Sequence, residues 1–147
     1  MSEHSSVLIV DDEHDIRELL VLTLGRMGLR TDTAPNLSAA RQMLATVSYD
    51  LCLTDMRLPD GSGLELVAEI ATRFPQTPVA VITAYGNVEA AVEALKAGAF
   101  DFVSKPVDVH MLRGLVRQAL ELGQREQQPE ESSRLFGESE AMVALRR

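Results

Sequence analysis

Four short apolar runs punctuate the chain, at residues 7–10, 51–54, 79–82 and 100–103. Three of them are continuously apolar, the pattern of strands covered on both faces. A fifth stretch, residues 30–34, alternates polar and small side chains and reads as an edge strand. Helical periodicity fills the intervals. Ile16, Leu19, Leu20, Thr23, Leu24 and Met27 share one face, and Gly28 is placed to end that helix in a left-handed conformation. Leu37, Ala40, Met43, Leu44 and Val47 make a second face, and Leu64, Val67, Ala68 and Ile70 a third. Val88, Ala91, Val92 and Leu95 make a fourth, stopped by Gly98. Val109, Leu112, Val116, Ala119 and Leu120 make a fifth, with Asp108 as its N-cap.

Strict alternation of strand and helix implies an α/β fold with a parallel sheet and helices on both faces. Right-handed crossovers leave few topologies. The doubly wound, five-stranded order 2-1-3-4-5 puts the strongly apolar first and third strands in the middle. Ligand chemistry in such sheets gathers outside the carboxyl ends of the strands, beside the switch point.

Composition narrows the picture. A length of 147 residues suits one domain with a short appendage. A formal net charge of −8 argues against direct nucleic-acid binding by this fragment. No basic segment followed by an apolar stretch marks a signal peptide, and no apolar run reaches membrane-spanning length. The single cysteine, Cys52, lies between Leu51 and Leu53 and reads as a buried structural thiol. A reducing, cytoplasmic compartment follows from that cysteine usage. The expected organisation is a domain over residues 1–125, a polar linker over 126–134 containing Pro129, and a fragment over 135–147 too short to fold alone.

The residues just past the strands carry the chemistry. The first strand ends in Asp11-Asp12-Glu13 and the third in Asp55. If those strands are neighbours, Asp11, Asp12 and Asp55 converge, and their repulsion calls for a cation. Mg²⁺ suits a site of few carboxylates completed by water. The fourth strand ends in Thr83, a hydroxyl able to donate to a phosphoryl oxygen. The fifth ends in Lys105, an ammonium able to neutralise one. Carboxylate nucleophile, metal, hydroxyl and ammonium together make a phosphoryl-transfer site, with Asp55 as the nucleophile. Each residue alone has a plainer role as cap, turn residue or solvated charge. Four strand ends supplying complementary chemistry on one side are not explained by independent caps.

These residues resemble the receiver (CheY-like) family. Val7-Leu8-Ile9-Val10-Asp11-Asp12-Glu13 is similar to its first strand and acidic pair, and Thr54-Asp55-Met56-Arg57-Leu58-Pro59-Asp60-Gly61-Ser62-Gly63 to its phosphorylation loop. Thr83-Ala84 and Lys105-Pro106 match its remaining signatures, and the resemblance spans residues 6–125. It implies that Asp55 accepts phosphate from the phosphohistidine of a sensor histidine kinase. It further implies that Asp12, Asp55 and the backbone carbonyl of Arg57 ligate Mg²⁺ while Asp11 acts largely through water. Lys105 would bind the phosphoryl group, Thr83 would turn toward it, and Phe102 would stand as the switch aromatic. The Lys105-Pro106 bond would be cis. Residues 135–142 look like the opening of the AAA+ ATPase domain of NtrC-type activators of sigma-54 RNA polymerase. Within that group, residues 51–66 and 77–108 look most like regulators of type IV pilus genes. The resemblance therefore implies partner domains, AAA+ and DNA-binding, in a longer protein. No GxxxxGK[ST] motif or helix-turn-helix lies in this sequence.

Two rival readings are an Mg²⁺-dependent aspartyl-phosphate phosphatase of the haloacid dehalogenase type and a receiver-like domain that binds partners without phosphorylation. The phosphatase class places a second Asp two residues after the nucleophile, where this chain has Arg57, and the other rival usually lacks an acid, the Lys or the Thr. Met111, Leu115 and Leu122 also lie at near-heptad spacing on a second side of the fifth helix, which points to a homodimer through the fourth helix, fifth strand and fifth helix.

Overall fold

The computed structural model describes residues 5–84 and 88–127, with side chains described as far as Glu121 except that of Val88. Five parallel strands form the main sheet: β1 (Ser6–Val10), β2 (Arg30–Ala34), β3 (Leu51–Asp55), β6 (Val79–Thr83) and β7 (Asp101–Ser104). Between β3 and β6, two short segments, β4 (Arg57–Leu58) and β5 (Gly61–Ser62), pair as a hairpin. The sheet order is β2-β1-β3-β6-β7, the doubly wound arrangement expected. Five helices connect the strands: α1 (His14–Arg26), α2 (Leu37–Thr46), α3 (Gly63–Arg73), α4 (Val88–Ala97) and α5 (Val109–Gln127).

Continuous apolarity in β1, β3 and β6 has the cause inferred above. Alternate residues of each strand enter two separate cores. Leu8, Val10, Cys52, Val79 and Val81 pack with Leu37, Leu44, Leu66 and Ile70 on one face. Val7, Ile9, Leu51, Leu53 and Ile82 pack with Leu20, Leu24, Leu112 and Val116 on the other. Burying each such aliphatic side chain contributes about 1.5–3 kcal/mol. Cys52 is fully buried, and burial pushes its thiol up to about 12. The register Val7↔Leu51 and Cys52↔Val79 brings the ends of β1, β3 and β6 to one edge.

Local signals explain where the helices begin and end. Ser62 and Glu65 form a capping box on α3, Asn36 caps α2 through the Ala39 N–H, and Asp108 accepts the His110 N–H at the start of α5. Gly28 and Gly98 take the positive φ values of 83° and 123° that close α1 and α4.

Three expectations need correction. The last strand begins at Asp101, not residue 100. In α4 the buried residues among the described side chains are Ala90 and Ala94, whereas Val92 and Leu95 from the expected apolar face are exposed. The reason is closeness: a Cβ on Gly98 would stand 2.8 Å from Cβ of Ala71 in α3, so the α3–α4 contact admits only small side chains. Leu115 is buried in the α1/α5 core and leaves the proposed seam, while Met111 remains 62% exposed. The Val88 and Leu122 side chains, residues 85–87 and everything from residue 128 onward, including the expected 135–147 fragment, lie outside what is described.

Candidate functional site

The carboxyl edge of the sheet gathers the acids. Asp11 follows β1, and its backbone N–H donates to the Ala34 carbonyl at 3.1 Å, which extends the β1–β2 pairing to the residue past the strand. Its Oδ1 accepts the Glu13 N–H at 2.9 Å. Asp55 ends β3, and the next residue is tied to β6 by a Met56 N–H to Ile82 carbonyl bond of 3.1 Å. Carboxylate oxygens of Asp11, Asp12 and Asp55 lie within 4.8 Å of one another. Asp11 is fully buried, Asp55 nearly so, and Asp12 faces solvent. The cluster is therefore closed on the Asp11 side and open to solvent at Asp12.

Lys105 arrives from β7, positioned by its own N–H donating to the Thr83 carbonyl at 2.8 Å. The Lys105-Pro106 bond is cis. The ammonium Nζ stands 2.7 Å from Glu13 Oε1, 3.1 Å from Asp55 Oδ2 and 3.3 Å from Asp11 Oδ2. Burial works against the charge of Lys105. Glu13, Asp11 and Asp55 outweigh it and hold the ammonium well above its ordinary range, so it stays charged. Thr83, 1% exposed, ends β6, and its hydroxyl donates to Met56 Sδ at 3.7 Å. Phe102 is half-buried against the α2–α4 core, and Arg57 is exposed at the start of the hairpin.

The geometry thus brings Asp11, Asp12, Asp55 and Lys105 together, with Thr83 one strand away beside Met56. Glu13 was missed as a site residue. It makes the shortest contact to Lys105, and its only signal in the sequence is adjacency to the acidic pair.

A cation fits this donor set. Asp11 Oδ2 is buried and accepts no hydrogen bond; Lys105 lies near it without donating one. Three convergent carboxylates, one with a buried oxygen held only by its ion pair to Lys105, suit a hard divalent ion. Burial raises the Asp11 carboxyl above its ordinary value. The Glu13 N–H draws it back, and the Asp55 charge raises it again. A carboxyl raised in the folded state favours folding below its unfolded value, near 3.8, and that contribution is lost as pH rises through the folded value. At neutral pH ionised Asp11 therefore opposes folding. Asp11→Asn, which keeps an acceptor for the Glu13 N–H, is expected to raise the urea midpoint at pH 7 in chelated buffer. The gain should shrink as the pH is lowered through the carboxylate range. A lower midpoint at pH 7 would contradict this.

This sheet edge defines a class of protein: the chain belongs to the response regulator receiver domain family, whose description matches residues 7–117. It is 62% identical over 142 residues to the response regulator protein PilR of Pseudomonas aeruginosa, covering 95% of this chain and 32% of that protein. It is 36% identical over 142 residues to the DNA-binding transcriptional regulator NtrC of Escherichia coli, covering 92% of this chain and 30% of that one. The chain thus spans about a third of the length of these curated relatives. Among solved structures, a CheY-like receiver domain protein from Methanospirillum hungatei superposes with a TM-score of 0.80 at 27% identity, covering 84% of this chain and 99% of that one. The beryllofluoride-activated NtrC4 receiver domain dimer superposes with a TM-score of 0.76 at 34% identity, covering 80% and 98%.

Proposed function

We propose that Asp55 is the phosphoacceptor of this receiver domain, taking its phosphoryl group from the phosphohistidine of a sensor histidine kinase. An Asp55 carboxylate oxygen forms the new P–O bond as the P–N bond to histidine breaks, and the electron pair of that bond returns to the imidazole. The single observation that carries this reading is Lys105 Nζ, 3.1 Å from Asp55 Oδ2 in a pocket that also holds Asp11 and Asp12. Asp12, Asp55 and the Arg57 carbonyl would hold Mg²⁺, with Asp11 acting largely through water. When bound, the ion supplies charge neutralisation for the incoming phosphoryl oxygens.

Phosphorylation adds negative charge at Asp55. Lys105 follows that charge, and Thr83 rotates away from Met56 to donate to a phosphoryl oxygen. Phe102 and the α4–β7–α5 surface respond as a two-state element. Exposed Val92, Leu95 and Met111 give that surface an apolar character, which supports a homodimer there. The same site chemistry assists both uptake and hydrolytic loss of the phosphoryl group.

In the longer protein, residues 126–134 link this domain to an AAA+ ATPase domain beginning at residue 135. The output is control of a sigma-54-dependent activator with its own DNA-binding domain, and type IV pilus genes are its target. The likeness to PilR and NtrC supports this output. Among the described residues no helix is long and apolar enough to cross a membrane.

Intact-mass measurement after exposure to Mg²⁺ and a small phosphodonor tests the proposal. The expected product carries a single acid-stable, base-labile phosphoryl group on the peptide containing Asp55. Steady hydrolysis of many unrelated phosphate esters, with no such adduct, would instead support the phosphatase reading.

A further inference from the structure

The loop after Asp55 is held at its base and at its tip. At the base, the Gly63 N–H donates to the Met56 carbonyl at 2.7 Å, and β4 and β5 pair Arg57 with Ser62 and Leu58 with Gly61. The tip, Pro59-Asp60, reaches a different helix. Asp60 Oδ1 accepts the Leu37 N–H at 2.8 Å, and Oδ2 accepts the Ser38 N–H at 3.0 Å. These are the first two N–H groups of α2, donors with no partner inside the helix. The helix's own cap, Asn36, serves Ala39 instead. Helix α2 therefore has two caps, and one of them belongs to the hairpin. The Leu37 N–H, followed by that of Ser38, holds the Asp60 carboxyl below the usual carboxylate range, so both oxygens accept as anions. Gly61 is close-fitted here as well: at φ 150° its Cβ would come within 2.7 Å of Leu37 Cδ1.

The connection entering α2 is tied to the acidic pocket at its other end. The Ala34 carbonyl, four residues before Ser38, accepts the Asp11 N–H at 3.1 Å. Residues 34–38 thus bridge Asp11 on one side and the hairpin bearing Arg57 on the other. Both walls of the cation pocket are fastened to one short stretch of chain.

We propose that Asp60 is a positioning residue for the cation site: by clamping the hairpin to α2 it fixes the Arg57 carbonyl relative to Asp11, Asp12 and Asp55, and so sets the affinity for Mg²⁺. This rests on the proposed function in taking the Arg57 carbonyl as a ligand. A residue that only caps α2 would affect stability and leave cation binding alone, and Asn36 supplies that comparison. Its side chain caps the same helix through the Ala39 N–H, and no hydrogen bond among the described residues ties it to the hairpin.

The test is an Mg²⁺ titration without phosphodonor, followed through the backbone amide resonances of residues 55–57. Asp60→Ala is expected to weaken binding about tenfold, the lower end of what loss of a ligand-orienting contact costs. Asp60→Asn, which retains one acceptor oxygen, should fall between it and the parent. Asn36→Ala should stay within about twofold of the parent, because its contact orients no ligand. Hydrogen exchange at Leu37 and Ser38 should quicken in Asp60→Ala, reporting release of the clamp independently of the cation. Unchanged affinity in Asp60→Ala, or equal weakening in Asn36→Ala, overturns the proposal and leaves the phosphoacceptor reading standing. A parent protein with no saturable response to Mg²⁺ would remove the cation site and this proposal together.

Discussion

Asp55→Asn is expected to abolish phosphoryl uptake from a small phosphodonor while leaving the fold intact. An amide of the same shape keeps the contacts around position 55 but offers no carboxylate oxygen to attack phosphorus. Neither remaining acid substitutes. Asp11 is buried with Oδ1 committed to the Glu13 N–H, and Asp12 faces solvent at the rim. Lys105 retains Glu13 at 2.7 Å and Asp11 at 3.3 Å, so its charge stays compensated. Intact mass of parent and variant under identical exposure checks the first half, and thermal unfolding checks the second. Adduct formation at the parent's level in Asp55→Asn would move the nucleophile elsewhere and end the reading.

Gly63→Ala should damage stability and site together. A Cβ at residue 63 would stand 1.8 Å from the Asp55 carbonyl oxygen and 2.9 Å from its carbonyl carbon. Those are backbone atoms at the end of the central strand β3, so the clash cannot be relieved by rotating a side chain. Either β3 shifts at its carboxyl end or α3 moves out, breaking the 2.7 Å bond from the Gly63 N–H to the Met56 carbonyl. The expected loss exceeds about 3 kcal/mol, beyond ordinary overpacking because backbone must yield. That corresponds to a melting temperature lower by roughly 10 °C. Mg²⁺ binding should weaken as well, since Asp55 is displaced with its own carbonyl. A melting temperature within about 2 °C of the parent would show that the contact relaxes freely. Gly25→Ala is the control, since nothing lies within 4 Å of a Cβ there.

What the amino-acid order determined by itself is the arrangement of layers and the edge at which the chemistry sits. Apolar runs such as Val7-Leu8-Ile9-Val10 and Leu51-Cys52-Leu53 have to be buried on both faces, because each strand feeds two cores by alternation. Parallel pairing of those strands then carries Asp11, Asp12, Asp55 and Lys105 to one side regardless of packing detail. The Asp108 cap was legible for a related reason, since it acts within three residues of itself; the caps at Ser62 and Asn36 act as locally but were not read from the sequence.

The tertiary structure alone decided the contacts between groups far apart in the chain. The Glu13–Lys105 pair spans 92 residues and the Asp60–Leu37 clamp 23, and no local periodicity encodes either. Packing also chose which apolar stripe of a helix is covered. In α4 both the alanines and the larger aliphatics recur at helical spacing, and the narrow approach to α3 at Gly98 and Ala71 selected the alanines. In α5 the core took Leu115 and left Met111 to solvent, because one face of that helix is wide enough to hold both Leu112 and Leu115 in the core it shares with β3, β7 and α1. Periodicity records that a face is apolar; which face meets a neighbour depends on distances that exist only once the layers have closed.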